Sequence, residues 1–199
     1  MDARPYFRKA TMHHPRFPFP DSQGETDWSP LPLEDVRLGR SFISGQPQGE
    51  RLRVQYFRHR RDMGLAGTAW FGPETEGPPG HAHGGSISGV LDEAMGIAAW
   101  LAGHPVVAAQ LTVNFLAMVP LGTVATFEAR LLSVESRKVR THARLLREDG
   151  ETFATAEGLF ITLSAEKLEE LGESVRQHST SNHDQERSLW NLRPKPPHA

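Results

Sequence analysis

The stretch Gly80–Gly96, Gly-His-Ala-His-Gly-Gly-Ser-Ile-Ser-Gly-Val-Leu-Asp-Glu-Ala-Met-Gly, decides the fold of this chain. From Gly84 to Gly103 the residues suit an α-helix, and only Asp92 and Glu93 are charged within it. Apolar side chains cover most of its circumference, at Ile87, Val90, Leu91, Met95, Ala98 and Leu101. A helix of this kind must be buried on nearly all sides, so the rest of the chain has to enclose it.

The segments around this helix carry an apolar residue at every second position, which is typical of strands with one buried face. The alternation runs through 51–56, 106–119, 123–134 and 139–145, and a turn at Glu148-Asp149-Gly150 leads into 152–163. The predicted buried faces carry Leu52, Val54 and Tyr56, then Leu111, Val113, Phe115 and Ala117, then Ala125, Phe127, Ala129 and Leu131, then Val139, Thr141, Ala143 and Leu145. Antiparallel strands around one buried helix predict an α+β hotdog fold, a curved antiparallel sheet wrapped around one long central helix.

The two ends of the chain differ from this central part. Prolines interrupt residues 1–48 and predict an N-terminal arm, whose apolar residues between Phe17 and Leu31 favour docking onto the domain or a neighbouring subunit. The hotdog domain is expected at 49–165. Within 166–199 we expect a short helix capped by Ser164, followed by a disordered polar tail.

Composition narrows the function classes. A chain of 199 residues with 38% apolar content suits one domain with a buried core. Its formal net charge of -2 gives no basic excess for nucleic acid, and the absence of cysteine excludes disulfides, thiolate nucleophiles and cysteine-bound zinc. Because no apolar run approaches the ~20 residues that span a bilayer, we expect a cytoplasmic protein without a membrane partner.

The predicted helix combines a site for an anion with a single carboxylate. Its first backbone N–H groups, at Gly84 and Gly85, lack intrahelical partners at the positive end of the dipole, where an oxyanion can bind. Asp92 follows eight residues after Gly84 and faces the same way as the small residues Gly85, Ser88, Gly89 and Gly96. This side of the helix has room for a slender ligand beside a base, although a strand or a second subunit could fill it. A tight turn and a structural hydrogen bond are the alternative roles of the glycines and of Asp92.

His83, immediately before the helix, has three candidate roles. It can fix the loop, point at a substrate carbonyl, or bind a metal together with His81. Two imidazoles without cysteine or a second acidic cluster are a weak signal for zinc. We therefore expect neither a metal nor a cofactor.

The sequence resembles the PaaI-type hotdog acyl-CoA thioesterases. The spacing of His83-Gly84-Gly85 and Asp92 carries the resemblance, and it extends over roughly residues 50–163. The other matching segments are Glu93-Ala94-Met95-Gly96, Leu111–Phe115, Val119–Gly122, Asp149-Gly150 and Ala154–Phe160.

The resemblance implies hydrolysis of acyl-CoA, with an acyl carrier protein as an alternative carrier. It implies that Asp92 acts as general base or nucleophile, that the Gly84 N–H polarises the carbonyl, and that His83 belongs to the same catalytic group. The expected substrate-binding residues are Gly85, Ser88, Thr112 and Asn114. It further implies a homodimer or a tetramer of dimers, in which the helix-start glycine and the aspartate of one site come from different subunits.

Three positions depart from the family pattern. Ala117-Met118 replaces a basic residue and a proline, and Gly77-Pro78-Pro79-Gly80 stands where some relatives have asparagine. Ala108 occupies the position where many relatives carry a hydroxyl that positions water, and Thr112 is a candidate substitute.

Two other functions fit the same fold. A dehydratase or hydratase pairs an acid with a histidine on the central helix, but the next histidine after Asp92 is His104, just beyond the helix. A non-catalytic acyl-CoA-binding module fits Ala108 and Ala117-Met118. Release of free thiol from an acyl-CoA panel distinguishes an enzyme from a sensor.

Overall fold

The computed structural model describes residues 28–32, 41–44, 48–59 and 64–178, with side chains up to residue 173. These residues form the strands β1 (Trp28–Pro30), β2 (Leu52–His59), β3 (Leu65–Phe71), β4 (Val106–Phe115), β5 (Val124–Glu135), β6 (Lys138–Leu146) and β7 (Thr152–Thr162). The helices are α1 (Gly84–Leu101) and α2 (Ala165–His178), and Pro73–Thr75 forms a turn of 3-10 helix.

The strands form one sheet in the order β1-β2-β3-β5-β6-β7-β4, and every neighbouring pair is antiparallel. Helix α1 packs across one face of the sheet, mainly on β5, β6, β4 and β7. Its buried residues Val90, Leu91, Ala94 and Met95 meet the buried side chains of the strands. The sheet wraps the central helix, which confirms the predicted hotdog fold.

The predicted faces of β2, β5 and β6 agree with the observed burial, whereas on β4 Leu111 and Val113 are only partly buried and Phe115 is exposed. Ala125, Phe127 and Ala129 of β5 are buried, as are Val139, Thr141, Ala143 and Leu145 of β6. Strand β4 ends at Phe115 rather than at residue 119, because the N–H groups of Leu116 and Ala117 both turn to the carbonyl of Phe153. Ala117 therefore lies beyond the strand and not on its predicted face.

Strand β3 was not predicted from the sequence, because all seven of its residues are buried and it has no charged residue to mark a solvent face. Its fit depends on Gly67. A methyl group at this position would overlap the ring of Phe127 and the carbonyl oxygen of Gln55. The close approach of β3 to both neighbours thus requires glycine.

The described parts of the arm pack on the domain. Strand β1 adds to the edge of the sheet beside β2, and Leu31 and Ile43 are buried in the core. Residues 1–27, with Phe17 and Phe19, lie outside the described part. The boundaries at residues 48 and 165 stay predictions.

At the other end, Ser164 caps α2 as predicted, since its Oγ accepts the N–H of Lys167 at 3.3 Å. The predicted polar tail falls almost entirely outside the described residues. Within residues 28–178, as far as they are described, no helix is both long and apolar enough to cross a bilayer.

Candidate functional site

The start of α1 is held by a loop, residues 76–83, that is tied to the chain on both sides. The Ala82 N–H donates to the Val119 carbonyl at 2.8 Å, and the His83 N–H donates to the Thr75 carbonyl at 2.6 Å. From the same segment as Val119, the Leu121 N–H donates to the Gly80 carbonyl at 2.9 Å. These backbone hydrogen bonds fix the position of the first helical residue, Gly84.

His83 is the N-cap of α1. Its Nδ1 accepts the Gly85 N–H at 2.8 Å, and its carbonyl accepts the Ser86 N–H at 2.9 Å. Within the described part of the chain no hydrogen bond engages the N–H of Gly84. The capping histidine therefore leaves one donor available at the positive end of the helix, where a developing negative charge is stabilised.

Phe115, at the end of β4, lies beside this donor. A methyl group added at Gly84 would be 3.1 Å from Cζ of Phe115, and the ring is 53% exposed. The Phe115 ring therefore lies against Gly84 at the start of the helix. The sequence pattern placed Phe115 only on a strand face, since nothing local indicates that the strand ends over the helix start.

Asp92 is half-buried on the same helix. Its Oδ1 is buried and has no hydrogen-bond partner in the part of the chain that the structure describes. Burial raises the pKa of Asp92 above its ordinary value of 3.8, and the nearby charge of Glu93 raises it further. A half-buried carboxylate with one unpaired, buried oxygen is costly for folding and well suited to accept a proton.

Glu93, the next residue, has a different environment. Its carboxylate accepts hydrogen bonds from Tyr56 Oη at 2.6 Å, from Ser44 Oγ at 2.6 Å and from Ser41 Oγ. Of the two adjacent acids, one is therefore saturated with hydroxyl donors, while Asp92 is the one left with an unpaired oxygen.

The small residues near Asp92 do not form one open stripe. A methyl group at Gly89 would collide with Cδ1 of Ile43 from the arm, and one at Gly96 would lie 3.7 Å from Phe160. The room at Gly89 is thus filled by the arm. Gly85 and Ser88 stay at the surface of α1 on the side of Asp92.

The structure separates Thr112 and Asn114 from the other predicted site residues. They pair with Glu157 and Thr155, whereas Val113 pairs with the buried Ala156 on the helix-facing side. Paired residues of an antiparallel ladder point to the same face, so Thr112 and Asn114 lie on the face away from α1. Their role in substrate binding stays a prediction. Ala108, in contrast, is exposed but pairs with the buried Phe160 on the helix-facing side of β4, so Thr112 cannot supply its missing hydroxyl within one subunit.

His81 does not join this group of side chains. Its Nδ1 lies 2.9 Å from the Pro79 carbonyl, and its backbone forms a bridge with Pro120. Among the described residues, no three His, Asp or Glu side chains are grouped so that they could hold a metal ion. The His81 ring is thus tied to its own loop.

The fold and the helix-start site define a class of protein, the hotdog domains. Solved structures of this class match the chain. The Escherichia coli PaaI protein has a TM-score of 0.52, 17% identity, and coverage of 56% of this chain and 80% of its own, which shows the fold alone. A crystal structure described as a thioesterase superfamily protein has a TM-score of 0.51 and 32% identity, over 55% of this chain and 53% of its own.

The sequence places the domain within that class. Residues 79–154 match the thioesterase superfamily. Acyl-coenzyme A thioesterase THEM5 of Mus musculus is 32% identical over 135 residues, which are 67% of this chain and 54% of the relative. The domain belongs to the hotdog thioesterase superfamily, which confirms the family predicted from the His-Gly-Gly and Asp spacing. The chain spans about half the length of the curated relatives it matches.

Proposed function

We propose that this protein hydrolyses acyl-CoA thioesters to the free acid and CoA. The observation that carries the proposal is that one helix bears both the Gly84 N–H and the half-buried carboxylate of Asp92. Among the described residues, neither this N–H nor Oδ1 of Asp92 has a hydrogen-bond partner. Curated relatives named acyl-coenzyme A thioesterases support the substrate class.

The chemistry needs little more than these two groups. Asp92 takes a proton from water, whose oxygen attacks the thioester carbonyl carbon, or its own oxygen attacks to give a mixed anhydride that water then hydrolyses. The Gly84 N–H donates to the oxyanion of the tetrahedral intermediate. Collapse of that intermediate breaks the C–S bond and releases the CoA thiolate, a good leaving group.

A single helix cannot bring both groups to one carbonyl. Eight residues separate Gly84 from Asp92, which corresponds to about 12 Å along the helix axis. Reacting atoms have to approach within about 3–3.5 Å. Each site therefore combines the Asp92 of one subunit with the Gly84 of another, and a twofold axis creates two equivalent sites.

The edge of the sheet supports this assembly. Strand β4 is the last strand of the sheet, so the hydrogen-bonding edge away from β7 is unpaired among the described strands. Next to it, Phe115, Leu116 and Met118 are 53%, 62% and 63% exposed. An open strand edge beside exposed apolar side chains is suited to pairing with a second copy.

We expect light scattering to give a mass of two chains or a multiple of two at micromolar concentration. The double substitution Leu116→Glu and Met118→Glu should yield monomers without activity, because two charges would be buried in the contact. Leu132→Glu, at an exposed leucine on β5, is the matched control and should keep the assembly. A stable monomer with full activity would rule out the shared site.

The acid limb of the pH profile should report Asp92. The carboxylate acts only when ionised, and burial raises its pKa, so activity is lost as the pH falls through that raised pKa. We expect the half-point of kcat/KM to lie above 3.8, the ordinary pKa of aspartate. Glu93→Gln removes the second cause of the shift and should move the half-point to lower pH. A limb that does not respond to Asp92 variants would contradict the assignment.

A second candidate is a non-catalytic acyl-CoA-binding module, which Ala108 on the helix-facing side of β4 favours, since no hydroxyl is present there to hold water. One experiment distinguishes the thioesterase from the binding module. A panel of acyl-CoAs with short, medium, long and aromatic acyl groups is tested for thiol release and for calorimetric binding. An enzyme releases thiol, whereas a sensor binds acyl-CoA without releasing it.

A further inference from the structure

The arm segment 41–44 is fastened to the central helix next to the site. The hydroxyls of Ser41 and Ser44 both donate to the carboxylate of Glu93, the neighbour of Asp92. Ser41 Oγ also accepts the N–H groups of Ile43 and Ser44 at 3.1 Å each, which closes a tight turn. Because one carboxylate holds both ends of this turn, the conformation of the segment depends on Glu93.

A second anchor holds the outer side of the segment. The guanidinium of Arg51 donates to the Phe42 carbonyl at 2.7 Å and lies 4.5 Å from the centre of the Phe42 ring. The Phe42 side chain remains 74% exposed, whereas Ile43 is 6% exposed. Two consecutive apolar residues therefore point in opposite directions, one to solvent and one to the helix.

Ile43 reaches the helix at Gly89, three residues before Asp92. Its Cδ1 occupies the space that a side chain at position 89 would need. Three residues correspond to about 4.5 Å along the axis, so the isoleucine lies within one turn of the carboxylate. It fills part of the room that the small residues Ser88 and Gly89 leave on this side of α1.

We propose that Ile43 is a specificity-determining residue that limits the size of the acyl group, and that Glu93 is the positioning residue that holds it in place. This inference rests on the proposed thioesterase function. A thioester whose carbonyl is within reach of Asp92 has to place its acyl group beside α1, and Ile43 is an apolar wall there. The preferred substrates are then acyl-CoAs whose acyl group ends before this wall.

The test compares Ile43→Ala with Phe42→Ala over a graded series of straight-chain acyl-CoAs. Ile43→Ala should raise the ratio of kcat/KM for longer over shorter acyl groups about tenfold or more, the usual effect of a few methylenes in an apolar pocket. Ile43→Val, the milder variant, should shift the ratio less and in the same direction. Phe42→Ala, the matched control, should leave it unchanged.

Glu93→Gln tests the positioning role. An amide offers only one acceptor oxygen to the hydroxyls, so the backbone amides of Ile43 and Ser44 should exchange hydrogen faster. The chain-length ratio should then move in the direction seen for Ile43→Ala. A merely structural glutamate would lower kcat/KM equally for all acyl groups.

Different results would contradict the role of Ile43 and the proposed thioesterase function. If the wild type hydrolyses acyl-CoA but Ile43→Ala and Ile43→Val leave the chain-length ratio unchanged, Ile43 is only a core residue and the inference is overturned. If the wild type releases no thiol from any acyl-CoA, the proposed function fails. In that case the dissociation constants of the intact acyl-CoAs test the role of Ile43. Ile43→Ala should then change the ratio of affinities for longer over shorter acyl groups, and an unchanged ratio would overturn the inference.

Discussion

The substitution Asp92→Asn is expected to lower turnover about 10²–10⁴-fold, the usual contribution of a general base. Asparagine keeps the size and the hydrogen-bonding shape of aspartate but neither takes a proton from water nor attacks as a carboxylate. Binding of acyl-CoA should persist, so turnover and affinity separate. Steady-state thiol release and calorimetric titration measure the two quantities.

The same variant should be more stable at neutral pH. Because the folded-state pKa of Asp92 is raised, the native protein binds a proton more tightly than the unfolded chain, and stability falls as the pH rises through that raised pKa. Asn removes this penalty, so Tm should increase at pH 7, and the difference from the wild type should shrink in acid. Glu135→Gln, at an exposed carboxylate on β5, should change neither Tm nor turnover.

Two outcomes would contradict this assignment. Near-normal hydrolysis by the folded variant would move the base to another group, with His83 and Glu93 as the next candidates. Loss of folding without a specific loss of turnover would make Asp92 a structural residue, and the acyl-CoA-binding module would become the better proposal.

The sequence predicted the elements of the fold that have a regular spacing of apolar residues or a turn motif. The helix from Gly84, the alternating faces of β5 and β6, and the turn at Glu148-Asp149-Gly150 follow from the spacing of apolar and turn residues. Strand β3 has no such signal, because burial on both faces removes the alternation of polar and apolar residues. The alternation along β4 places Thr112 on the face opposite Val113, as the pairing with β7 also does, and only the resemblance made Thr112 a substrate-binding candidate.

The candidate site also combines residues that the local sequence indicates with residues whose role depends on distant contacts. Gly84 and Asp92 were predicted because glycines at a helix start and a single acid on an apolar helix can be recognised from the local sequence alone. The roles of Glu93 and Gly89 depend on Ser41, Ile43 and Ser44, which are more than 40 positions away in the sequence. A glycine that accommodates a distant isoleucine is indistinguishable, in the sequence, from one that leaves room for a ligand.

The substitution Gly84→Pro tests the oxyanion donor, and it should lower kcat about 10²–10³-fold relative to Gly84→Ala, the effect of removing one such donor. Proline has no N–H, but Gly84 is the first residue of α1, where proline is well tolerated. His83 already has the extended backbone, φ -65° and ψ 138°, that a following proline requires. Gly84→Ala keeps the N–H and places its methyl group 3.1 Å from the half-exposed Phe115 ring, which controls for the added bulk.

Mixing the two inactive variants then tests whether a site is shared between subunits. In a dimer of one Asp92→Asn and one Gly84→Pro subunit, one site carries both changes and the other carries neither. Random exchange at equal concentrations should therefore recover about a quarter of the wild-type activity. If each site lay within one subunit, every site in the mixture would retain one defect and no activity would return. Equal loss in Gly84→Pro and Gly84→Ala would instead assign the effect to bulk near Phe115 and remove Gly84 as the donor.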